Sequence, residues 1–300
     1  MKKFFIVFVF LLSVVFGDQK IEVVGNIAVL KHFDDAIYAG TDAGKLFKFD
    51  RKNNKTELIF TLPQIKSYID GQIDSKIIDM DKFDSKFALL IDDDYMHKAL
   101  GIYENGELTK FSPPITGIKR LFFLDENTLI LLGIGSEILY FDINSKKVTF
   151  SHKISDSPFG GVAFDRQKNL LLLSNEGGVI YFFDTKNKKF LREKSIHKDN
   201  IFSVAMNKNR VITGSNDKTC YYENGNAWKF FNAGFLVYSV ALSDEFGAFS
   251  VEDGINIIDT KGNIIEKIPY DGEIINYLIF YGDYLVGAGY DKTIHFWSYK

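Results

Sequence analysis

The chain has 300 residues, 46% of them hydrophobic, with 29 Phe, 15 Tyr, a single Cys and a formal net charge of −3. That much apolar material suits a packed core, and the wealth of Phe and Tyr favours strands. A mildly acidic chain with scattered lysines is a poor nucleic-acid binder, and one cysteine, Cys220, excludes an internal disulfide.

The first element is a leader. Lys2 and Lys3 precede an apolar run from Phe4 to Phe16 that only Ser13 interrupts, and Val15 and Gly17 suit a peptidase site before Asp18. This is the layout of a secretory signal peptide over residues 1–17, shorter than a typical membrane span, with an uncleaved anchor as the alternative. No cysteine stands at the cleavage position for a lipid. With no disulfide, the expected address is a bacterial periplasm, reached by a monomer that keeps no membrane anchor. Residues 18–300 are expected to form one domain.

Within them, an aromatic or apolar pair followed by an acid recurs at Phe49-Asp50, Tyr103-Glu104, Phe141-Asp142, Phe183-Asp184, Tyr222-Glu223 and Ile258-Asp259, and Phe296-Trp297-Ser298 ends the series. The acids lie 54, 38, 42, 39 and 36 residues apart. A period of about 40 residues, with four short strands in each unit, is the signature of a β-propeller blade. Second strands are predicted near Ile37–Gly40, Phe87–Ile91, Leu129–Leu132, Leu170–Leu173, Val211–Gly214, Ala248–Val251 and Tyr284–Ala288. Asn105-Gly106, Asn224-Gly225 and Gly262-Asn263 are hairpin-type turns, because Gly and Asn tolerate positive φ. The fold class is therefore all-β, a seven-bladed β-propeller. The last blade has three strands before the chain stops, and Lys20 to Val24 is a spare alternating strand. It should pair there and close the ring, which otherwise has two open edges.

Residues 197–205, HKDNIFSVA, followed by residues 211–219, VITGSNDKT, resemble the core of a WD40 repeat. Residues 289–297, GYDKTIHFW, resemble its second half. In that family a His before the first strand, a Ser or Thr on the second, an Asp in the next turn and a Trp on the third form a hydrogen-bonded network. The resemblance implies such a network at His197, Thr213 and Asp217, with Glu223 where the Trp belongs. In the seventh blade it implies Asp291 and Trp297, without the His. The bare signal peptide and the Lys-, Asn-, Ile- and Phe-rich composition are also similar to the NapL family, accessory proteins of ε-proteobacterial periplasmic nitrate reductase systems. That resemblance implies a non-catalytic interaction scaffold, without cofactors. It would assist the maturation or activity of the reductase, with the reductase or its maturation proteins as partners.

Local motifs for chemistry are missing. There is no Cys-x-x-Cys-His for haem, no His-Glu-x-x-His and no Gly-x-Ser-x-Gly, and His32, His97, His152, His197 and His295 fall in different blades or turns. Asp34-Asp35, Asp79, Asp81 and Asp84, and Asp92-Asp93-Asp94 lack calcium-loop spacing, so they read as solvated turns. Cys220 sits mid-strand and reads as a buried, inert thiol. Two segments depart from the repeat. Leu62 to Lys76, with Pro63, Tyr68, Ile69 and Asp70, is the longest connection between blades, and Asp92 to Lys98, with Tyr95 and Met96, is an extended turn in blade two. Long loops on a rigid scaffold are where binding usually resides, and Tyr and Met suit protein contacts; a neutral insertion is the other reading of these segments. Two other functions stay open at this point: an enzyme or metal or small-molecule binder using the central channel, and an outer-membrane protein assembly factor.

Overall fold

The computed structural model describes residues 19–50 and 55–299. The expected signal peptide lies outside them. Strand β1 (Gln19–Glu22) comes first. Blade one is β2 (Ile27–Phe33), β3 (Ala36–Thr41), β4 (Lys45–Asp50) and β5 (Lys55–Thr61), and a small hairpin follows, β6 (Ile65–Ser67) and β7 (Gly71–Ile73). Blade two is β8 (Ile77–Phe83), β9 (Lys86–Asp92), β10 (Lys98–Glu104) and β11 (Glu107–Phe111), with a 3₁₀ turn at Asp94–Met96 between β9 and β10. Blade three is β12 (Ile118–Asp125), β13 (Thr128–Gly133), β14 (Glu137–Asp142) and β15 (Lys147–Lys153). Blade four is β16 (Phe159–Asp165), β17 (Leu170–Asn175), β18 (Val179–Asp184) and β19 (Lys189–Ser195). Blade five is β20 (Ile201–Asn207), β21 (Arg210–Ser215), β22 (Thr219–Asn224) and β23 (Ala227–Asn232). Blade six is β24 (Val240–Leu242), β25 (Gly247–Val251), β26 (Gly254–Ile258) and β27 (Ile264–Pro269). Blade seven is β28 (Tyr277–Tyr281), β29 (Tyr284–Ala288) and β30 (Thr293–Ser298), completed by β1.

Each blade is a four-stranded antiparallel sheet, in chain order in the first six and closed by β1 in the seventh, so this is a seven-bladed β-propeller. The inner strands β2, β8, β12, β16, β20, β24 and β28 all contribute to the wall of one axial cavity. The second strands fall where the apolar runs place them, because both faces of every blade are covered. Successive side chains on a strand point to opposite faces. Phe87, Leu89 and Ile91 of β9 therefore pack into the core shared with blade one, while Ala88 and Leu90 pack into the core shared with blade three. Seven such inter-blade cores run round the ring. A strand buried on both faces reads as a continuous apolar run rather than an alternation.

The turns follow from the acids that end the third strands. Asp142 accepts the Ser145 N–H at 2.7 Å, Asp184 accepts that of Asn187 at 2.8 Å, and Asp259 accepts those of Lys261 and Asn263, both at 2.8 Å. A glutamate reaches further. Glu223 instead bonds the Tyr221 hydroxyl and the Lys194 ammonium. Closure is antiparallel, pairing Gln19 with Phe296 through to Glu22 with Thr293, and the Val23 N–H adds a bond to the Lys292 carbonyl at 2.9 Å.

The acids of β8 depart from the solvated turns that their spacing suggests. Asp79 and Asp81 do not lie in a solvated turn. They sit on the inner strand β8, 0% and 5% exposed, and only Asp84 is in the turn that follows. Asp92 is likewise buried at the end of β9.

Candidate functional site

In a four-stranded up-and-down blade, the links from fourth to next first strand and from second to third strand emerge on one face of the ring. The hairpin β6–β7 and the 3₁₀ turn are links of these two kinds, so the two irregular segments meet. The Lys66 N–H donates to Asp94 Oδ1 at 2.9 Å, and the rings of Tyr68 and Tyr95 stack with centroids 4.4 Å apart. Ser67 Oγ accepts the N–H groups of Ile69 and Asp70, which shapes the hairpin tip, and Gly71 follows at φ 75°. The result is a raised knob. Tyr68 is 82% and Ile69 91% exposed, and Met96 and Tyr95 are also exposed beside them. Pro63 and Asp70 are exposed at the hairpin's base and tip.

The 3₁₀ turn is held in an unusual shape. Tyr95 and Met96 have φ of 59° and 62°, in the left-handed region that such side chains seldom occupy. Each costs about 1 kcal/mol or more, so the surrounding contacts must impose the shape. The acids beneath it are engaged by lysines. Asp92 pairs with Lys98, and Asp93 with Lys110 at 2.6 Å. Burial raises the Asp93 carboxyl, the Lys110 ammonium lowers it, and the net position is below the usual carboxylate range.

The same face continues through Tyr290, which sequence reasoning passed over because its turn carries no irregularity. The Tyr290 hydroxyl donates to Asp42 at 3.2 Å, the Lys76 ammonium lies 4.6 Å from its ring centroid, and the residue is half exposed. Links from blades seven, one and two thus form one surface rich in tyrosine.

The WD40-type residues occupy the same face at blade five. His197 Nε2 lies 2.7 Å from Thr213 Oγ1, and Nδ1 lies 3.1 Å from Asp217 Oδ2 and 3.0 Å from Thr219 Oγ1. Asp217 also accepts the N–H groups of Lys198 and Thr219, which fastens the link to the turn. At the tryptophan position, Glu223 pairs with Lys194 at 2.6 Å. In blade seven Asp291 and Trp297 are not joined by such a network. Asp291 accepts the Thr293 N–H at 2.9 Å, while buried Trp297 stacks on His295 and meets Tyr270 edge-on. A Cβ on Gly287 would lie 2.6 Å from the indole, so glycine makes the room.

Burial lowers the pKa of His197 from 6.5, and Asp217 raises it part of the way back. A lowered folded pKa means that the unfolded chain takes up the proton first. The stabilisation is complete above about pH 6.5 and is lost as the pH falls below it. His197→Ala is expected to cost about 2–3 kcal/mol at neutral pH by leaving buried Thr213 without its partner, taking one partner from Asp217 and opening a cavity. It should also flatten the decline in stability below about pH 6.5. Urea unfolding of both proteins across that range is the check.

Cys220 is fully buried between blades five and six, and burial raises its thiol well above the ordinary range. Among the described residues no group of three His, Cys, Asp or Glu is placed to hold a metal ion.

No protein-family model matches the chain, and no curated protein sequence matches it. Solved structures do resemble it. The crystal structure of RRP9 WD40 repeats is 13% identical with a TM-score of 0.73, covering 94% of this chain and 97% of that one. A chain of the mitotic checkpoint complex is 14% identical with a TM-score of 0.73, covering 93% and 90%. The computationally designed Ika8 protein is 14% identical with a TM-score of 0.68, covering 92% and 97%. At such identities the likeness is one of fold, that of a WD40-like propeller.

Proposed function

We propose that the chain is a non-catalytic interaction scaffold that grips a protein partner through the knob at blades one and two. The observation that carries this reading is the stacked Tyr68–Tyr95 pair with Ile69 and Met96 beside it, held out from the ring by the Lys66–Asp94 bond and a left-handed turn. Exposed aromatic and thioether groups on a preorganised loop lose little entropy on binding, and residues of this kind dominate interface energetics. The WD40-like fold and the presence of one structural neighbour in a multiprotein assembly support the same reading.

The finer part of the proposal rests on the sequence. The leader over residues 1–17 directs the protein to the periplasm, and the similarity to NapL accessory proteins points to the periplasmic nitrate reductase or its maturation proteins as partner. The test is co-purification of the tagged mature protein from native periplasm, in parallel with Tyr68→Ser/Ile69→Ser. The double variant should keep the parent melting temperature, because both side chains stand in solvent. It should weaken partner binding by about 30-fold or more, the loss of an interface hot spot. A variant that retained the partner at parental affinity would refute the knob. Repeated recovery of other proteins without the reductase would refute the partner assignment alone.

A further inference from the structure

The axis of the ring carries a feature that is independent of partner binding. Its cavity of about 190 Å³ is lined by all seven inner strands. Beside valines such as Val29 and Val240, its wall carries Lys31, Asp79 and Arg120 of blades one, two and three, with Ser203 of blade five further round the ring. These charges do not cancel. Asp79 Oδ2 accepts the Leu121 N–H at 2.9 Å, and Oδ1 pairs with the Lys31 ammonium at 3.3 Å, without the geometry of a hydrogen bond. Below this pair, Asp81 accepts the Phe123 N–H at 2.7 Å and is neutralised by Arg166 at 2.7 Å. That leaves Arg120. Its guanidinium donates to the neighbouring Lys119 carbonyl at 2.9 Å, and among the described residues it forms no ion pair.

A guanidinium left without a carboxylate on the wall of a channel favours an anion, and its planar fork matches a carboxylate better than a tetrahedral ion. Other donors are at hand. Ser203 Oγ accepts the Val240 N–H at 3.2 Å, so its own O–H remains to donate, and the Lys31 ammonium lies on the same wall. The volume admits a few heavy atoms and excludes a nucleotide. We propose that the channel binds a small carboxylate anion, held by the Arg120 fork with Lys31 and Ser203 as further donors.

Calorimetric titration of the mature chain with acetate, against chloride at equal ionic strength, tests this. One saturable site is expected, with a dissociation constant of about 0.1–1 mM for so small a ligand. Arg120→Gln should weaken it by about 10- to 100-fold, the loss of a charge-assisted contact. Arg120→Lys keeps the charge without the fork and should also weaken acetate, which decides the matter if the Gln variant does not fold. Acetate heats no greater than those of chloride would overturn the proposal. So would binding that both variants leave unchanged, or sulfate binding as tightly as acetate with Arg120→Lys indifferent to the exchange.

Discussion

A chain that begins at Gly25, lacking the closing strand, is expected to lose about 3 kcal/mol or more of stability, because β1 supplies the fourth strand of a blade made at opposite ends of the sequence. Removing it takes away the four residue pairs from Gln19–Phe296 to Glu22–Thr293 and the Val23–Lys292 bond. It also uncovers the core between blades seven and one, where Val23 is 7% exposed and packs with Ile27, Phe49, Ile294 and Phe296. Burying one such valine is worth about 1.5–3 kcal/mol, and each ladder bond lost adds about 1 kcal/mol before the entropy of ordering the strand is subtracted. For a chain of this size that corresponds to a fall of roughly 5 °C or more in melting temperature, with aggregation through the freed edge of β30. Differential scanning calorimetry of the full and shortened chains checks it. Val23→Asp, which keeps the ladder but places a charge in the core, should fall in the same direction. A shortened chain that melts with its parent would mean that closure contributes nothing.

The second large effect concerns the axis. Arg166 reaches across blade three to Asp81 of blade two, its Nε bonding the Phe123 carbonyl at 3.0 Å on the way. Burial pushes the Asp81 carboxyl up to about 6, with Arg166 and then Lys31 restraining the rise. With the folded pKa above the unfolded 3.8, the protonated acid is favoured by folding, and that stabilisation is present below about pH 3.8 and lost as the pH climbs through about 6. At neutral pH the protein carries a buried carboxylate that depends on its cation. Arg166→Met is expected to cost about 3 kcal/mol, at the low end for a broken buried pair, because the Arg166 side chain is 40% exposed. The penalty should shrink as the pH is lowered toward about 5, since without the cation Asp81 protonates more readily. Adding Asp81→Asn should recover most of the loss, as replacing both partners usually does. Denaturant melts of the four proteins at the two pH values measure it, and a pH-independent penalty, or no rescue, would contradict the assignment.

How far the residues announce all this depends on whether their partners are local. The blade period and the second strands could be read from the chain because a strand buried on both faces needs an unbroken apolar run, as in Leu129 to Leu132 or Leu170 to Leu173. The spare strand at residues 20–24 was visible because the last blade lacks one. The hairpin β6–β7 was legible only as an insertion. Its strands have three residues each, too few for periodicity, and Ser67 shapes its tip through backbone bonds that sequence does not display. Asp79 and Asp81 misled because their partners are remote, with Lys31 48 positions away and Arg166 85 positions away. The i, i+2 spacing, which puts both on one face of a strand, was the cue. At the site, Tyr68 and Tyr95 stood out by their loops, while Tyr290 and Lys76 meet each other only through a contact between blades.

The central claim, that the knob at blades one and two is the surface that meets the partner, is tested most directly by a photo-crosslinking residue. It is placed at position 69 on the hairpin tip and, as control, at position 208 in a turn on the opposite face, in cells expressing the protein natively. A specific adduct is expected from position 69, containing the proposed periplasmic reductase or one of its maturation proteins by mass spectrometry, and none from position 208. A partner captured from position 208 and not from position 69 would contradict it.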